Sequence, residues 1–306
     1  MTSMILRAVF QVGLLLLLPP LLLGVVNRVK ALFGGRKGVP LLQLYYDLAK
    51  LLRKGTVYSR TTTWVFRAGP IAGVAAVVTA GLLVAVAGER AVVAFAGDFI
   101  LFAYLLGLAR FFTALAALDT GSSFEGMGAA REVTFASLAE PALFLALVVL
   151  ARATGALSLS GMLGPGLAGA WGHAAPALVL AAIALFVVAL AENSRIPVDD
   201  PNTHLELTMI HEVMVLDHSG PDLALILYGA SLKFFLFGAL FTRVVLGFRF
   251  ESFLAAEAVF VAGLFGFAAL VGVVESVMAR LRLVRVPQLL VGASVLSVFG
   301  LVLLLR

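Results

Sequence analysis

Ala191 to Gly220 reads AENSRIPVDDPNTHLELTMIHEVMVLDHSG. It gathers Glu192, Asp199, Asp200, Glu206, Glu212 and Asp217 against Arg195 alone, and it holds three of the chain's 4 histidines. The chain around it has the opposite character. Of 306 residues, 62% are hydrophobic and 13% charged, and the mean hydropathy is +1.08. Apolar runs near 174–191 and 224–246 flank the stretch on both sides. Each approaches the roughly 20 residues that carry a helix across a bilayer. An acidic, histidine-rich segment between two such runs is a loop of a membrane protein.

Runs of this kind recur. The apolar pattern predicts helices near 4–26, 64–87, 99–118, 133–152, 174–191, 224–246, 254–278 and 287–305. Alternating ten-residue patterns are absent, which disfavours a β-barrel, and helices satisfy their own backbone in lipid. The fold class is an all-α membrane protein of about eight transmembrane helices, one integral domain over 1–306. Met4–Val26 is too long for a signal-peptide core and meets Asn27-Arg28 instead of a small-residue cleavage site, so it is expected to stay as a helix. With 0 cysteines, disulfides, redox thiols and cysteine-ligated iron–sulfur clusters are excluded in this chain. His173, His204, His211 and His218 all fall outside the predicted spans, which disfavours a bis-histidine haem within the bilayer. Any redox cofactor belongs to other subunits. The formal charge of +5 needs no nucleic-acid partner, because membrane topology accounts for it.

Lys and Arg are unevenly shared between the loops. The first holds Arg28, Lys30, Arg36, Lys37, Lys50, Arg53, Lys54 and Arg60; the third and fifth add Arg131 and Arg195; the seventh adds Arg280, Arg282 and Arg285. The opposite side has Arg7, Arg90, Arg152, Arg249 and Arg306, with Arg243 close by. The positive-inside rule then puts the odd loops in the cytoplasm and both termini outside. The Gly-rich piece Gly155–Gly172 reads as an outer loop.

Two loop segments carry further structure. In PLLQLYYDLAKLLRK, Pro40–Lys54, the residues Leu41, Leu44, Tyr45, Leu48, Leu51 and Leu52 fall on one helical face, with Asp47, Lys50 and Lys54 away from it. That is a short amphipathic helix at the membrane interface, either a plain anchor or the wall of a docking site for a cytoplasmic partner. In the fifth loop, Asp200 and Pro201 form a helix start and Gly220-Pro221 a stop, predicting a short helix over Pro201–Asp217. Leu205, Met209, Glu212 and Leu216 would share one face, and that places Glu212 in an apolar stripe. His204, His211 and His218 repeat every seven residues, hence about 10 Å apart along a helix, too far for one metal ion. An interfacial or proton-relaying stripe fits them better.

Arg110, Asp119, Glu140, Glu192, Lys233, Glu257 and Glu275 lie in or at the edge of predicted spans. A charge such as Lys233 near mid-helix costs about 2.5–3.5 kcal/mol on insertion scales. A single such residue reads as a structural ion pair. This many, joined to an acidic loop, read as a buried proton path, and a carboxylate from Glu140 or Glu192 is the expected partner of Lys233.

The segment AENSRIPVDD, followed by Glu206 and DHSG, resembles the signature loop of the membrane subunit 1 family of respiratory complex I. Glu192, Arg195, Pro197, Asp199 and Glu206 match it by position, Asp217-His218-Ser219-Gly220 match its end after an insertion of about three residues, and Arg131 and Glu140 fit an Arg and a Glu on its fourth span. RKGVPLLQLYYDLAKLL, ARFFTALAALDTGSSFEGMGAAREVTFASLAEP and ESVMARLRL are more similar to formate hydrogenlyase subunit 4, the corresponding membrane subunit of energy-converting nickel–iron hydrogenases. The resemblance covers nearly the whole chain. It implies an anchor in a prokaryotic plasma (inner) membrane that docks a peripheral redox arm on the first and fifth loops, at Arg36, Lys37, Asp47, Lys50, Arg131, Arg195 and Asp217. It further implies a charge relay through Glu140, Glu192, Asp199, Glu206 and Lys233 toward antiporter-like membrane subunits. Hydrogenase-like large and small subunits and iron–sulfur subunits are the implied partners, with the nickel–iron centre and clusters held by them and no cofactor or metal in this chain. Glu212 lies in the inserted part, so its place in the relay rests on the apolar stripe alone. Asn202 and His204 stand where the complex I block has further acids.

Two other functions stay open at this level: a stand-alone proton or cation transporter, and a quinone-chamber subunit of a complex I-like NADH dehydrogenase. Against the former, the chain shows no inverted repeat. Against the latter, it lacks the R-G-P-N motif and the tryptophan-rich third loop. The topology is directly testable. In a chain without cysteine, single cysteines at positions 60 and 285 should react with an impermeant thiol reagent from the cytoplasmic side, and one at position 164 from outside. Labelling of position 164 from the cytoplasmic side alone would reverse the topology.

Overall fold

Pro19 and Pro20 have no N–H to offer Leu15 and Leu16 one turn earlier, so the first apolar run cannot continue as one straight helix. In a computed structural model that describes residues 2–86, 90–200, 209–247 and 252–305, helix α1 (Thr2–Leu17) gives way to α2 (Pro19–Phe33) at a bend of 46°. Two tyrosines satisfy carbonyls at the break: the Tyr228 hydroxyl donates to Leu16 O, one of the two freed, at 2.8 Å, and the Tyr45 hydroxyl donates to the neighbouring Leu17 O. Tyr45 belongs to the expected interfacial helix, α3 (Gln43–Leu52), on which no residue is fully buried.

The remaining helices are α4 (Trp64–Leu83), α5 (Asp98–Asp119), α6 (Ser123–Thr154), α7 (Leu159–Met162), α8 (Pro165–Glu192), α9 (Gly220–Val245), α10 (Phe253–Val277) and α11 (Val286–Leu303). Among the described residues, seven are long and apolar enough to cross a membrane, and the number is eight when the bent α1–α2 pair is counted as one broken span. No strand occurs among the described residues. The chain is a multi-pass, all-α membrane protein. Its core lies among α8, α9 and α10, where Phe267 meets Phe186, Phe234 and Phe241 at centroid distances of 6.1, 5.3 and 5.4 Å.

Three segments differ from the sequence reading. Helix α6 begins at Ser123 rather than near 133, because its first turns are held against the fifth loop. Helix α8 begins at Pro165, a residue suited to the first helical position, and kinks at Ala174. Gly155–Gly172 is therefore not a plain outer loop, and His173 lies within α8, exposed, before that kink. In the fifth loop, residues 201–208, with His204 and Glu206, lie outside the described residues. The described remainder of the expected Pro201–Asp217 helix is a single 3₁₀ turn, Glu212–Val215. That turn is pressed onto α6: a Cβ at Gly128 would lie 2.3 Å from Val213 Cγ1 and 3.1 Å from the Ile210 carbonyl. Only glycine permits this approach.

The loops richest in Lys and Arg interlock at one end of the bundle. Val57 N donates to Ser219 Oγ at 3.2 Å, Thr63 N to Asp119 Oδ2 at 2.7 Å and Leu281 N to Pro197 O at 2.9 Å. Gly220, with φ of +56°, sits against the Gly55 carbonyl, where a Cβ would come within 2.6 Å. His218 is buried over the Phe66 ring at 3.9 Å; burial pushes its imidazole below the ordinary value, and Asp222 partly opposes this. First and fifth loops thus form one surface. At the other end, Asp98 accepts from Leu159 N at 2.6 Å and Trp171 Nε1 donates to Val244 O at 3.0 Å.

Candidate functional site, a buried charge network

Helix α5 places Arg110 inside an apolar bundle, where an unpartnered guanidinium would be costly. Carboxylates surround its planar fork, and two of its nitrogens are hydrogen-bonded to them. Nη1 meets Glu140 Oε1 at 2.6 Å, Nη2 meets the two oxygens of Glu192 at 2.6 and 2.7 Å, and Nε faces Glu132 Oε1 at 3.3 Å. Glu132 and Glu140 are eight residues apart on α6, about two turns, and so share a face. Gly107 on α5 lies beside Glu140, where a Cβ would stand 3.5 Å from Oε1, an ordinary contact. Glu192 ends α8. From the far side, α9 brings Lys233 Nζ to Glu192 Oε2 at 2.8 Å. Glu192 is therefore shared by two cations on different helices. Its side chain is 4% exposed, whereas that of Glu140 is 45% exposed on the flank of the bundle.

The network continues into the loop that follows α8. Arg195 turns inward, with Nη1 3.3 Å from Glu275 Oε1 on α10 and its guanidinium carbon 5.3 Å from the centre of the Phe234 ring. Lys30 on α2 holds the other Glu275 oxygen at 2.7 Å. Asp199, buried, pairs with Arg280 of the seventh loop at 2.8 Å and accepts from the Ile210 and His211 amides, both at 3.2 Å. One carboxylate thus ties both arms of the fifth loop to the seventh. Arg131 Nη1 donates to Met209 O at 2.9 Å, and His211 Nδ1 faces Glu132 Oε2 at 3.6 Å.

Beside the network lies a cavity of about 220 Å³. Helices α2, α3, α4 and α9 give it an apolar wall with Leu23, Leu44, Val74 and Leu225, and its polar end carries Arg110, Arg195, Lys233, Asp199, His211 and Glu212. A smaller void of about 10 Å³ touches Glu132, Glu192 and Asp199.

The structure thus brings Glu140, Glu192 and Lys233 into one cluster through Arg110, with Asp199 at its edge and Glu212 on the cavity wall. Glu206 lies outside the described residues. Of the residues named for docking, Arg36, Lys37, Lys50 and Asp217 are exposed, while Asp47 accepts from Gln43 Nε2 at 2.9 Å. Arg131 and Arg195 are engaged internally. Sequence reasoning passed over Glu132, Lys30 and Arg280 as site residues, and it gave His211 only as part of an interfacial or proton-relaying stripe. The two-turn spacing of Glu132 and Glu140 is a readable signal for the first. Nothing local marks Lys30 or Arg280, whose partners lie far along the chain. Among the described residues, no group of three or more His, Asp and Glu side chains is arranged to hold a metal ion.

A bundle of apolar spans with paired charges buried between them is an integral membrane protein built to hold charge within the bilayer. The family model described as NADH dehydrogenase matches residues 6–305, and the chain belongs to that family, the family of complex I subunit 1. It is similar to hydrogenase-4 component C of Escherichia coli K12, 34% identical over 245 residues, which cover 80% of this chain and 76% of that one. It is also similar to formate hydrogenlyase subunit 4 of the same organism, 31% identical over 291 residues, 93% and 94% of the two chains. A chain of the membrane-bound sulfane sulfur reductase, an archaeal respiratory membrane complex, has the same fold: TM-score 0.80, 20% identity and 99% coverage of both.

Because three carboxylates share the Arg110 fork, Arg110→Met should lower stability by about 3–5 kcal/mol, the cost of leaving buried charge uncompensated. The readout is thermal unfolding in detergent. A parental unfolding temperature would mean that the guanidinium is not what holds α5, α6 and α8 together.

Proposed function

We propose that this chain is the membrane anchor and coupling subunit of an ion-translocating oxidoreductase of the formate hydrogenlyase and energy-converting hydrogenase type. It docks a peripheral redox arm on the joined first and fifth loops and relays charge to antiporter-like membrane subunits. Its partners are hydrogenase-like large and small subunits and iron–sulfur subunits, which hold the nickel–iron centre and the clusters. The chain has no catalytic centre of its own. It sits in a prokaryotic plasma (inner) membrane with both termini outside.

The observation that carries this reading is Glu192, bound at once by Arg110 and Lys233. Two unit charges about 4 Å apart interact by roughly 4 kcal/mol at an effective dielectric of 20. A charge arriving at the loop side therefore has ample energy to change which partner Lys233 and Arg110 favour. Asp199 and His211 stand at the loop end of the network, and half-exposed Glu140 at its flank, where a neighbouring membrane subunit would meet it. The exposed Arg36, Lys37, Lys50 and Asp217 supply polar contacts for the arm.

The cavity favours a second reading, a quinone chamber, since its apolar wall suits a hydrocarbon tail and its polar end a carbonyl head. A photoreactive quinone that labels Val74 or Leu225 would support it. A stand-alone transporter would purify without iron–sulfur partners.

Under the coupling reading, Lys233→Met should leave the complex assembled and electron transfer to a soluble acceptor largely intact, and should abolish ion translocation in proteoliposomes. Translocation at the parental rate would reduce Lys233 to a structural pair.

A further inference from the structure

His211 stands next to Glu212 in the fifth loop, in the histidine stripe that the sequence reads as interfacial or proton-relaying. Its backbone is fixed, because the amide donates to Asp199 Oδ2 at 3.2 Å. Its ring is not enclosed: the side chain is 31% exposed and lines the large cavity, while Nδ1 points at Glu132 Oε2, 3.6 Å away. Glu132 is 11% exposed and faces Arg110 Nε with its other oxygen at 3.3 Å. Exposure thus falls step by step from cavity to imidazole to carboxylate to the Arg110 fork.

We infer that His211 is the port through which protons pass from the cavity into the buried charge network, with Glu132 as the acceptor. The other charged groups that line the cavity with the ring are Arg110 from α5, Lys233 from α9, and Arg195, Asp199 and Glu212 from the loop itself, while Arg131 of α6 is bound to Met209 O. Guanidinium and ammonium groups keep their protons near neutral pH, whereas imidazole both gains and loses one there. A proton from water in the cavity adds to Nε2, the Nδ1 proton passes to Glu132 Oε2, and the ring is left neutral with its proton on Nε2; exchange of that proton through cavity water returns one to Nδ1 and resets the ring. A side-chain shift of a few tenths of an ångström brings the 3.6 Å gap into hydrogen-bond range. Neutralising Glu132 removes one of the three carboxylates on Arg110 and leaves the fork to Glu140 and Glu192. Beyond Glu132, the void of about 10 Å³ that it shares with Glu192 and Asp199 is at the lower limit for one water, so the proton has an onward step.

This inference rests on the coupling reading above. The test uses the intact complex in proteoliposomes and measures ion translocation and electron transfer to a soluble acceptor separately. His211→Gln keeps a polar group near Glu132 but carries no proton through; His211→Ala opens space beside the cavity. Both should lower translocation by about a hundredfold, the scale of a lost acid–base group, with electron transfer near parental. Added imidazole should restore His211→Ala and not His211→Gln. Parental translocation in His211→Gln, or a loss in His211→Ala that imidazole does not reverse, would overturn the port. If the parental complex itself moves no ions, the coupling reading fails and the port falls with it.

Discussion

The Arg110 guanidinium, held by carboxylates from two other helices, is the constraint on which the arrangement depends. Glu132, Glu140 and Glu192 cannot share one region of an apolar bundle as anions without a cation among them, and Arg110 supplies it in a planar fork that meets all three. That requirement fixes where α5, α6 and α8 meet. Three carboxylates and the two cations Arg110 and Lys233 leave the cluster formally one negative charge in excess. Its edges are the loop side, at His211 and Asp199, and the flank, at Glu140.

The loop end is built with equal economy of contact. Asp199 is a single carboxylate that fastens the outgoing arm of the fifth loop, its returning arm and the seventh loop. Gly220 against Gly55, and His218 over Phe66, then lock the fifth loop to the first. A partner that touches this surface touches a body continuous with Glu192, whose carboxylate lies only a few residues upstream. Mechanical and electrostatic connection therefore share one short stretch of chain, which accounts for the crowding of acids and histidines there.

Much of this was legible in the residues. Apolar runs located the spans, because the bilayer demands about 20 such residues per helix. Lys233 was readable as needing a carboxylate, with Glu140 and Glu192 as the candidates; it meets Glu192 at 2.8 Å, and Glu140 pairs with Arg110 instead. What escaped depends on contacts distant in sequence. The bend at Pro19 and Pro20 was readable in principle, but its tolerance rests on Tyr45 and Tyr228 reaching carbonyls at the break. The early start of α6 and the 3₁₀ turn at Glu212–Val215 arise together from close packing at Gly128, which no local propensity encodes. Lys30 and Arg280 looked like topology signals only; their structural partners, Glu275 and Asp199, lie 80 or more positions away.

The central claim is that Glu192 is an ionised bridge whose hold on Lys233 and Arg110 changes during turnover. Infrared difference spectroscopy of the assembled complex, comparing reduced and oxidised states, tests it most directly. The account predicts a carboxylate band that shifts between the two states and disappears in Glu192→Gln. A difference spectrum identical in the parental complex and in Glu192→Gln would contradict it.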